Sequence, residues 1–323
     1  MLAGLAAGLD EAIPARAPDN LLVGTWNIRA FSGVTPRFDA APDDKPLRNY
    51  ADICALAAVV SRFDVVAIQE TREDLSALRA LMACLGVHWT FVVTDVGLGD
   101  AANGERLAYV YDRGRVKTSG LAGELVVPAK GIGTGGETLR DQFARSPFAV
   151  SFAAGDHGLT LVTTHVIYGK QASDRTKELG AVGAWLKQRA RKGKEFDTNM
   201  IALGDFNIDN EHDDNFAALT ATGISPPPEL AQRPSTIFDT PGKTHFYDQI
   251  AWFADGGAEK LALGYSGSAG YFDWTRYVCA DVANKTTKSW RISDHFPLWC
   301  EFELPGGDSG SDLPGRRPKR RFA

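Results

Sequence analysis

The chain has 323 residues, of which 44% are apolar and 23% are charged, a composition that excludes a disordered or collagen-like protein. No apolar run approaches the roughly 18 residues that a membrane-spanning helix requires. The net charge of −5 argues against a protein that coats nucleic acid, although residues 305–323 carry five basic and only two acidic side chains.

Strands and helices alternate in the first part of the chain. Apolar runs predict strands over Leu21–Phe31 and Asp64–Glu70, and apolar residues at helical spacing predict helices over Leu47–Phe63 and Glu73–Leu85. The remaining predicted elements are the strands His88–Val96, Arg106–Tyr111, Arg115–Leu121, Phe148–Ala153 and Leu159–His165, the amphipathic helix Ala172–Arg191, and the strands Met200–Asn207, His245–Phe253, Lys260–Gly264 and His295–Glu303. The run Gly131–Gly136 lacks the spacing of a phosphate-binding loop and is predicted to be a flexible loop.

One large domain over residues 21–304 accounts for these elements, because no linker divides the chain before Pro305. Residues 1–20 are predicted to be a leader or a short helix. They lack the basic start of a signal peptide, and Asp10 and Glu11 interrupt the apolar run, which favours a cytoplasmic location over a secreted or periplasmic one. Residues 305–323 are predicted to be a disordered basic tail. We expect a monomer.

The four cysteines are scattered, without the spacing of a zinc site. Cys54 and Cys84 lie in apolar patterns with helical spacing. This placement favours buried free thiols, with a disulfide as the alternative.

Polar residues stand where four of the predicted apolar strands end or begin. In chain order they are Asn27, Glu70, Asp205, Asn207, Asp294 and His295. Strands fix the geometry of active sites at such positions in layered α/β folds. Each residue alone could be a turn former, as in an Asx turn at Asp205 and Asn207. Together, these carboxylates, amides and imidazole suit a hard cation such as Mg²⁺ or Mn²⁺ with a phosphate ester.

Six short motifs occur in a recognisable order. They are TWNIR (Thr25–Arg29), IQET (Ile68–Thr71), THVIYG (Thr164–Gly169), GDFN (Gly204–Asn207), YDQI (Tyr247–Ile250) and SDHFP (Ser293–Pro297). By these motifs the chain resembles the endonuclease/exonuclease/phosphatase superfamily, which includes DNase I, AP endonucleases, sphingomyelinases and inositol polyphosphate 5-phosphatases. The resemblance covers about Leu21–Leu304. It implies a DNase I-like, four-layer α/β sandwich in which two packed mixed β-sheets lie between helices.

The resemblance also implies a divalent metal site. Glu70 would be the principal ligand, and Asn27 and Asp294 would complete or support it. Asp205 and Asn207 would lie near the nucleophile or a second ion. The ion would be Mg²⁺ or Mn²⁺, with two ions or an additional Ca²⁺ as alternatives.

Two histidines would flank the scissile phosphate. Each requires a carboxylate to fix its tautomer and raise its basicity. The resemblance to DNase I pairs His295 with Asp248 and His165 with Glu105. It also places Arg145, in FARSPF, on a phosphate oxygen.

The implied reaction is hydrolysis of a phosphodiester by in-line attack of water, with DNA as the substrate. The general base is His295 with Asp248 in the DNase I-like account, or Asp205 in the AP-endonuclease account. A phosphoesterase acting on a small phosphorylated metabolite or lipid headgroup is the alternative function. The Trp-Cys-Asp-Arg-type run of 5-phosphatases is replaced here by HFYDQIAW. A catalytically silent binding module would have lost a metal ligand or a histidine, and none is missing.

Overall fold

The computed structural model describes residues 2–39, 41, 43–97, 101–134, 137–191, 199–231, 233–257, 260–304 and 306. The predicted disordered tail therefore lies outside the described residues, except for residue 306. The helices of the described part are α1 (Leu2–Ala12), α2 (Tyr50–Val60), α3 (Ser76–Leu85), α4 (Ser173–Ala190), α5 (Asp214–Thr220) and α6 (Lys285–Arg291). The strands are β1 (Asn20–Phe31), β2 (Val65–Arg72), β3 (Trp89–Val93), β4 (Glu105–Asp112), β5 (Lys117–Glu124), β6 (Ile132–Thr134), β7 (Glu137–Leu139), β8 (Phe148–Ala154), β9 (His157–His165), β10 (Met200–Asp205), β11 (Asp248–Trp252), β12 (Gly264–Tyr271) and β13 (Leu298–Glu303). No helix within these ranges is long and apolar enough to cross a membrane.

The longer strands form two mixed sheets. The first has the order β12-β13-β1-β2-β4-β3 and the second the order β11-β10-β9-β8-β5, while β6 and β7 form a separate two-stranded ribbon. β1 runs parallel to β2, and β9 runs parallel to β10. Parallel neighbours need a long crossover connection. The connections here contain α2 between β1 and β2, and α4 between β9 and β10.

Three apolar cores separate four layers. α1, α2 and α3 pack on the outer face of the first sheet, the two sheets pack against each other, and α4 and α5 cover the outer face of the second sheet. Because successive strand residues point to opposite faces, Val65 lies in the core between the sheets and Val66 lies under the helices. The predicted α/β fold of two packed mixed sheets between helices is confirmed.

The N-terminal helix α1 packs against the rest of the protein. Leu5 and Leu9 are completely buried in the first core, together with Ile13. Gly8 lies so close to Tyr277 that a Cβ atom there would be 2.2 Å from the ring. Burying an aliphatic side chain of this size contributes roughly 1.5–3 kcal/mol. The start of the chain therefore contributes directly to the apolar core.

α2 begins at Tyr50, three residues later than predicted. Asn49 and Asp52 form a capping box, in which Asp52 N donates to Asn49 Oδ1 at 2.9 Å and Asn49 N donates to Asp52 Oδ2 at 3.1 Å. Asp52 also forms an ion pair of 2.8 Å with Arg291, at the end of α6. This ion pair ties α2 to the segment that leads into SDHFP.

One predicted strand and one predicted loop differ from the structure. The strand predicted over Lys260–Gly264 lies instead at Gly264–Tyr271, where pairing with β13 and packing of Tyr265 against the core between the sheets favour the extended chain. The run Gly131–Gly136 is not wholly a loop, because Ile132–Thr134 pairs with β7.

The cysteines of α2 and α3 differ from the expectation of two buried thiols. Cys84 is exposed and Cys54 is half-buried, and both are free thiols. Their Sγ atoms lie 3.8 Å apart. Cys84 lies in the last turn of α3, beyond its buried residues Ala77, Leu78 and Leu81.

Candidate active site

Strand ends of both sheets meet at one edge of the sandwich. Asp205, the last residue of β10, lies directly opposite His165 of β9 and Asp248 of β11 in the strand registers. In the first sheet, Asn27 of β1 lies opposite the residue that precedes Glu70 on β2. The register therefore assembles residues of three motifs in the second sheet and of two motifs in the first.

Glu70 is fixed by two donors from β1. Ala30 N donates to Glu70 Oε2 at 2.8 Å, and Asn27 Nδ2 donates to Oε1 at 3.2 Å. The backbone of Glu70 has φ 59°, in the left-handed region that few non-glycine residues adopt. The same Asn27 amide donates to Asp205 Oδ2 at 3.0 Å and so joins the two sheets. Asn27 Oδ1 is buried and has no hydrogen-bond partner among the described residues, which leaves it available as a ligand.

His165 is paired with Glu105. His165 Nδ1 and Arg145 Nε each lie 2.7 Å from Glu105 Oε2, and Arg145 Nη2 donates to Oε1 at 3.1 Å. Burial acts to raise the pKa of Glu105, but His165, Arg145 and Arg72 outweigh burial and lower the pKa to about 2. Burial and Arg145 act to lower the pKa of His165, yet the Glu105 and Asp205 carboxylates bring it above the usual value. The surroundings therefore favour a protonated imidazole at His165.

His295 forms a second pair, with Asp248. The two atoms, His295 Nδ1 and Asp248 Oδ2, lie 2.7 Å apart. The carbonyl of His295 accepts hydrogen bonds from the indoles of Trp26 at 2.9 Å and Trp274 at 3.1 Å, which fixes the backbone. Burial raises the pKa of Asp248 to about 6, although His295 acts against it. Burial acts to lower the pKa of His295, but Asp248 and Asp205 outweigh it and raise that pKa well above the usual value.

Asp205 lies between the two histidines. Its Oδ2 atom is 3.5 Å from His165 Nε2 and 3.8 Å from His295 Nε2, and its Oδ1 atom accepts a hydrogen bond from Asn207 N at 2.9 Å. Burial acts to raise the pKa of Asp205, but the histidines, with help from Asn27 and Asn207, lower it overall. Two imidazole Nε2 atoms thus surround one carboxylate oxygen, while each Nδ1 atom contacts a separate buried carboxylate.

Asn207 and Asp294 contact residues other than Glu70. Asn207 Nδ2 donates to Val166 O at 2.7 Å. Asp294 Oδ2 lies 3.5 Å from Arg29 Nη1, and its buried Oδ1 atom has no hydrogen-bond partner among the described residues. The part that these two side chains would take in metal binding stays a prediction.

Oxygen and imidazole ligands for a cation are close together in this site. The described residues include two groups whose ligand atoms lie within 4.8 Å of one another, namely Glu70, Glu105 and His165, and Asp205, Asp248 and His295. Glu105 is already paired with His165 and Arg145. The ligand atoms that are best placed to bind a cation are therefore those of the Glu70 carboxylate and the unpartnered Asn27 Oδ1. Carboxylate and amide oxygens suit Mg²⁺ or Mn²⁺. The residues present therefore fit the predicted cation, with Glu70 and Asn27 as the residues that would hold it.

Two contributors to this region were missed from the sequence. Arg72 Nη2 lies 3.7 Å from Glu70 Oε2 and 3.6 Å from Glu105 Oε1. Its position two residues after Glu70 was an available signal, because alternate residues of a strand share a face. His245 Nδ1 lies 2.6 Å from Asp239 Oδ1, and its ring stacks on Tyr247, with ring centroids 4.6 Å apart. No local sequence pattern marked His245.

Known proteins resemble this chain in sequence or in fold. The model of the Endonuclease/Exonuclease/phosphatase family matches residues 24–295. A protein named Deoxyribonuclease from Thioalkalivibrio sp. (strain K90mix) is 26% identical over 298 residues, which span 90% of this chain and 73% of that protein.

The human Nocturnin catalytic domain with bound sulfate anion has a TM-score of 0.58 at 14% identity, covering 88% of this chain and 93% of that one. D. rerio TDP2 complexed with single strand DNA product has a TM-score of 0.54 at 17% identity, covering 88% and 98%. A mannosyl-6-phosphatase of Bacteroides thetaiotaomicron VPI-5482 has a TM-score of 0.55 at 16% identity, covering 87% and 99%. The chain belongs to the endonuclease/exonuclease/phosphatase family.

Proposed function

We propose that this family member is a divalent-metal-dependent phosphodiesterase that cleaves DNA. The observation that carries the proposal is the pair of buried histidines around Asp205, whose Nε2 atoms lie 3.5 and 3.8 Å from one oxygen. Each Nδ1 atom lies 2.7 Å from its own carboxylate, which fixes the tautomer. Hydrolysis of a phosphate ester requires one proton to be taken from water and one to be given to the leaving oxygen, and this pair can do both.

Glu70 and Asn27 would hold the divalent cation, with Asp294 supporting it. When bound, a divalent cation stabilises the negative charge that builds on the phosphoryl oxygens. Arg72, 3.7 Å from Glu70, places a fixed positive charge beside the same position. The site would therefore attract a phosphate group although the chain as a whole is acidic.

We assign the general base to His295 rather than to Asp205. Both oxygens of Asp205 already accept hydrogen bonds, from Asn27 and Asn207, and its pKa is lowered. A carboxylate of low pKa is a weak base, whereas the raised pKa of His295 makes its imidazole a stronger base once it is deprotonated, and the deprotonated fraction grows as the pH rises. As the water oxygen bonds to phosphorus, the water proton passes to His295 Nε2.

His165 would serve the leaving group. Its raised pKa and its contact with Glu105 favour a proton on Nε2, which passes to the departing oxygen as the phosphorus–oxygen bond breaks. Arg145 contacts Glu105 through Nε and Nη2, while its Nη1 atom has no hydrogen-bond partner among the described residues. That atom is available to bind a phosphate oxygen, and its charge would stabilise the transition state.

DNA is the proposed substrate because of the relative named Deoxyribonuclease, to which 90% of this chain aligns. The TDP2 structure, which shares the fold, holds a single strand DNA product. A small phosphorylated metabolite or lipid headgroup is the competing substrate class. The absence of the 5-phosphatase signature argues against inositol phosphates as that metabolite.

The test compares supercoiled plasmid, a p-nitrophenyl phosphodiester and inositol phosphates as substrates, each with Mg²⁺, with Mn²⁺ and with a chelator. The proposal predicts plasmid nicking by the wild type with either metal and none by Glu70→Gln. Glu73→Gln, which changes an exposed carboxylate three residues away, is the matched control and should cleave normally. Rapid release of phosphate from the small substrates without nicking would contradict the choice of DNA.

A further inference from the structure

Arg48 is a buried arginine that binds the backbone of two chain segments at once. It is 2% exposed, and its guanidinium donates four hydrogen bonds to carbonyl oxygens. Nη2 donates to Arg29 O at 2.7 Å and to Ile292 O at 3.2 Å, Nη1 donates to Ala30 O at 3.1 Å, and Nε donates to Arg291 O at 3.0 Å. One side chain therefore fixes the distance between residues 29–30 and residues 291–292.

Residues 29–30 belong to the bulge of β1 that holds Glu70. The pairing of β1 with β2 shifts register between Asn27 and Phe31, and Ala30 has φ 42°, which is unusual for a residue with a side chain. In this conformation Ala30 N donates to Glu70 Oε2 at 2.8 Å. Because Arg48 binds the carbonyls of the bulge, it keeps the Ala30 N–H in the position that Glu70 requires.

Residues 291–292 lead directly into the SDHFP motif. Ser293, the next residue, donates its hydroxyl to Asn27 O at 2.5 Å and accepts a hydrogen bond from His295 N at 2.9 Å. The position of His295 therefore depends on the position of the segment that Arg48 holds.

An uncharged side chain of similar volume could fill the space that Arg48 occupies. Its hydrogen bonds go to neutral carbonyls, and its guanidinium lies 5.3 Å from the centre of the Phe31 ring. Burial lowers the pKa of Arg48 to about 10, although Asp52 and Glu70 act against it, so the guanidinium stays protonated at neutral pH. Burying a charge costs free energy that an apolar side chain of similar volume would not cost. Unlike an apolar side chain, the planar guanidinium donates hydrogen bonds in fixed directions and so holds residues 29–30 at a set distance from residues 291–292.

We propose that Arg48 is a positioning residue that sets the arrangement of the metal ligand Glu70 relative to the general base His295. This inference rests on the proposed function, in which those two residues act on one phosphate. Lysine cannot replace Arg48, because a single ammonium group cannot reach four carbonyls in two segments.

The experiment compares wild type, Arg48→Lys and Arg48→Met in the full chain. Mn²⁺ affinity is measured by calorimetry, and stability is measured by urea unfolding. The values of kcat and KM are measured with a labelled oligonucleotide as the substrate. Loss of an outer partner of a metal ligand typically weakens metal affinity by about 10–100-fold, and we expect that change in both variants. We expect kcat to fall by a similar factor, with KM for the oligonucleotide changed by less than about threefold.

Arg115→Lys is the matched control. Arg115 donates to Asn20 O at 2.6 Å and pairs with Asp64 at 2.8 Å, at the opposite end of β1. Its replacement should lower stability and leave Mn²⁺ affinity and kcat unchanged. In a further variant, Arg48→Ala, millimolar guanidinium should restore Mn²⁺ affinity and kcat towards the wild-type values, because it can donate to the same carbonyl oxygens.

The inference is overturned if Arg48→Lys behaves like Arg115→Lys, with lower stability but unchanged Mn²⁺ affinity and kcat. It is also overturned if neither Arg48 variant folds, since Arg48 would then be a requirement of folding. If the wild type binds Mn²⁺ but cleaves no DNA, the proposed function fails. A lower Mn²⁺ affinity in Arg48→Lys would then support only the part of the inference in which Arg48 positions Glu70.

Discussion

Replacing Glu105 with glutamine removes the negative charge shared by His165 and Arg145 and keeps the shape of the side chain. Glu105 is 4% exposed, and its pKa is lowered from 4.5 to about 2 by those two residues and by Arg72, against the effect of burial. At about 1.4 kcal/mol for each pKa unit, this corresponds to about 3.5 kcal/mol of folding free energy at pH 7. We expect Glu105→Gln to lose about 2–3 kcal/mol, because glutamine keeps one oxygen acceptor.

The loss should depend on pH with a definite sign. Since the folded pKa of Glu105 lies below the unfolded value, its contribution is complete above about pH 4.5 and falls as the pH drops towards 2. At pH 3 about 1.4 kcal/mol of it should remain. Urea unfolding of the metal-free protein at pH 7, 4 and 3 measures this, with the exposed Glu303→Gln as a control that should change by less than about 0.5 kcal/mol. A Glu105→Gln variant as stable as the wild type at pH 7, or a loss that does not shrink in acid, would refute the reasoning.

Three further predictions concern other parts of the protein. Asp248→Asn should lower the pKa of His295, which moves the acid limb of the kcat/KM profile to lower pH, and should reduce the maximal rate by about 10²-fold or more. An unchanged profile would rule out His295 as the base. Leu9→Ala should lower the free energy of unfolding by about 2–5 kcal/mol because Leu9 is completely buried, whereas Leu2→Ala, at a 44% exposed position, should change it by less than about 0.5 kcal/mol. Oxidation of Cys54 and Cys84 with diamide should form a disulfide that raises the free energy of unfolding by about 3–4 kcal/mol, and Cys84→Ser should abolish the gain.

The motifs around Asp205 were predictable because each places a polar residue beside a short apolar run, whereas the register of the strands was not predicted. GDFN, THVIYG and YDQI each place a polar residue at the end of a buried strand, and pairing of β9, β10 and β11 sets His165, Asp205 and Asp248 side by side. The α/β class followed from the alternation of strands and helices.

Features that depend on distant packing were not predictable. β12 reads GYSGSAGY, a run with weak strand propensity, and it is extended because β13 offers its edge and Tyr265 packs against the core between the sheets. Arg48 has an ordinary local sequence, and its role becomes visible only when residues 29–30 and 291–292 are seen to share it. The contact of 3.5 Å between Asp294 and Arg29 joins two segments that are far apart in the sequence, and no local pattern predicted it.

The central claim is that the residues around Glu70 and Asp205 form a single metal-dependent phosphodiesterase site. The most direct test follows Mn²⁺ binding by electron paramagnetic resonance while plasmid cleavage is recorded in the same samples. The account predicts that cleavage rises with Mn²⁺ occupancy in the wild type and in Glu73→Gln, and that Glu70→Gln loses both together. Undiminished cleavage by Glu70→Gln, or Mn²⁺ binding of wild-type affinity in that variant, would contradict it.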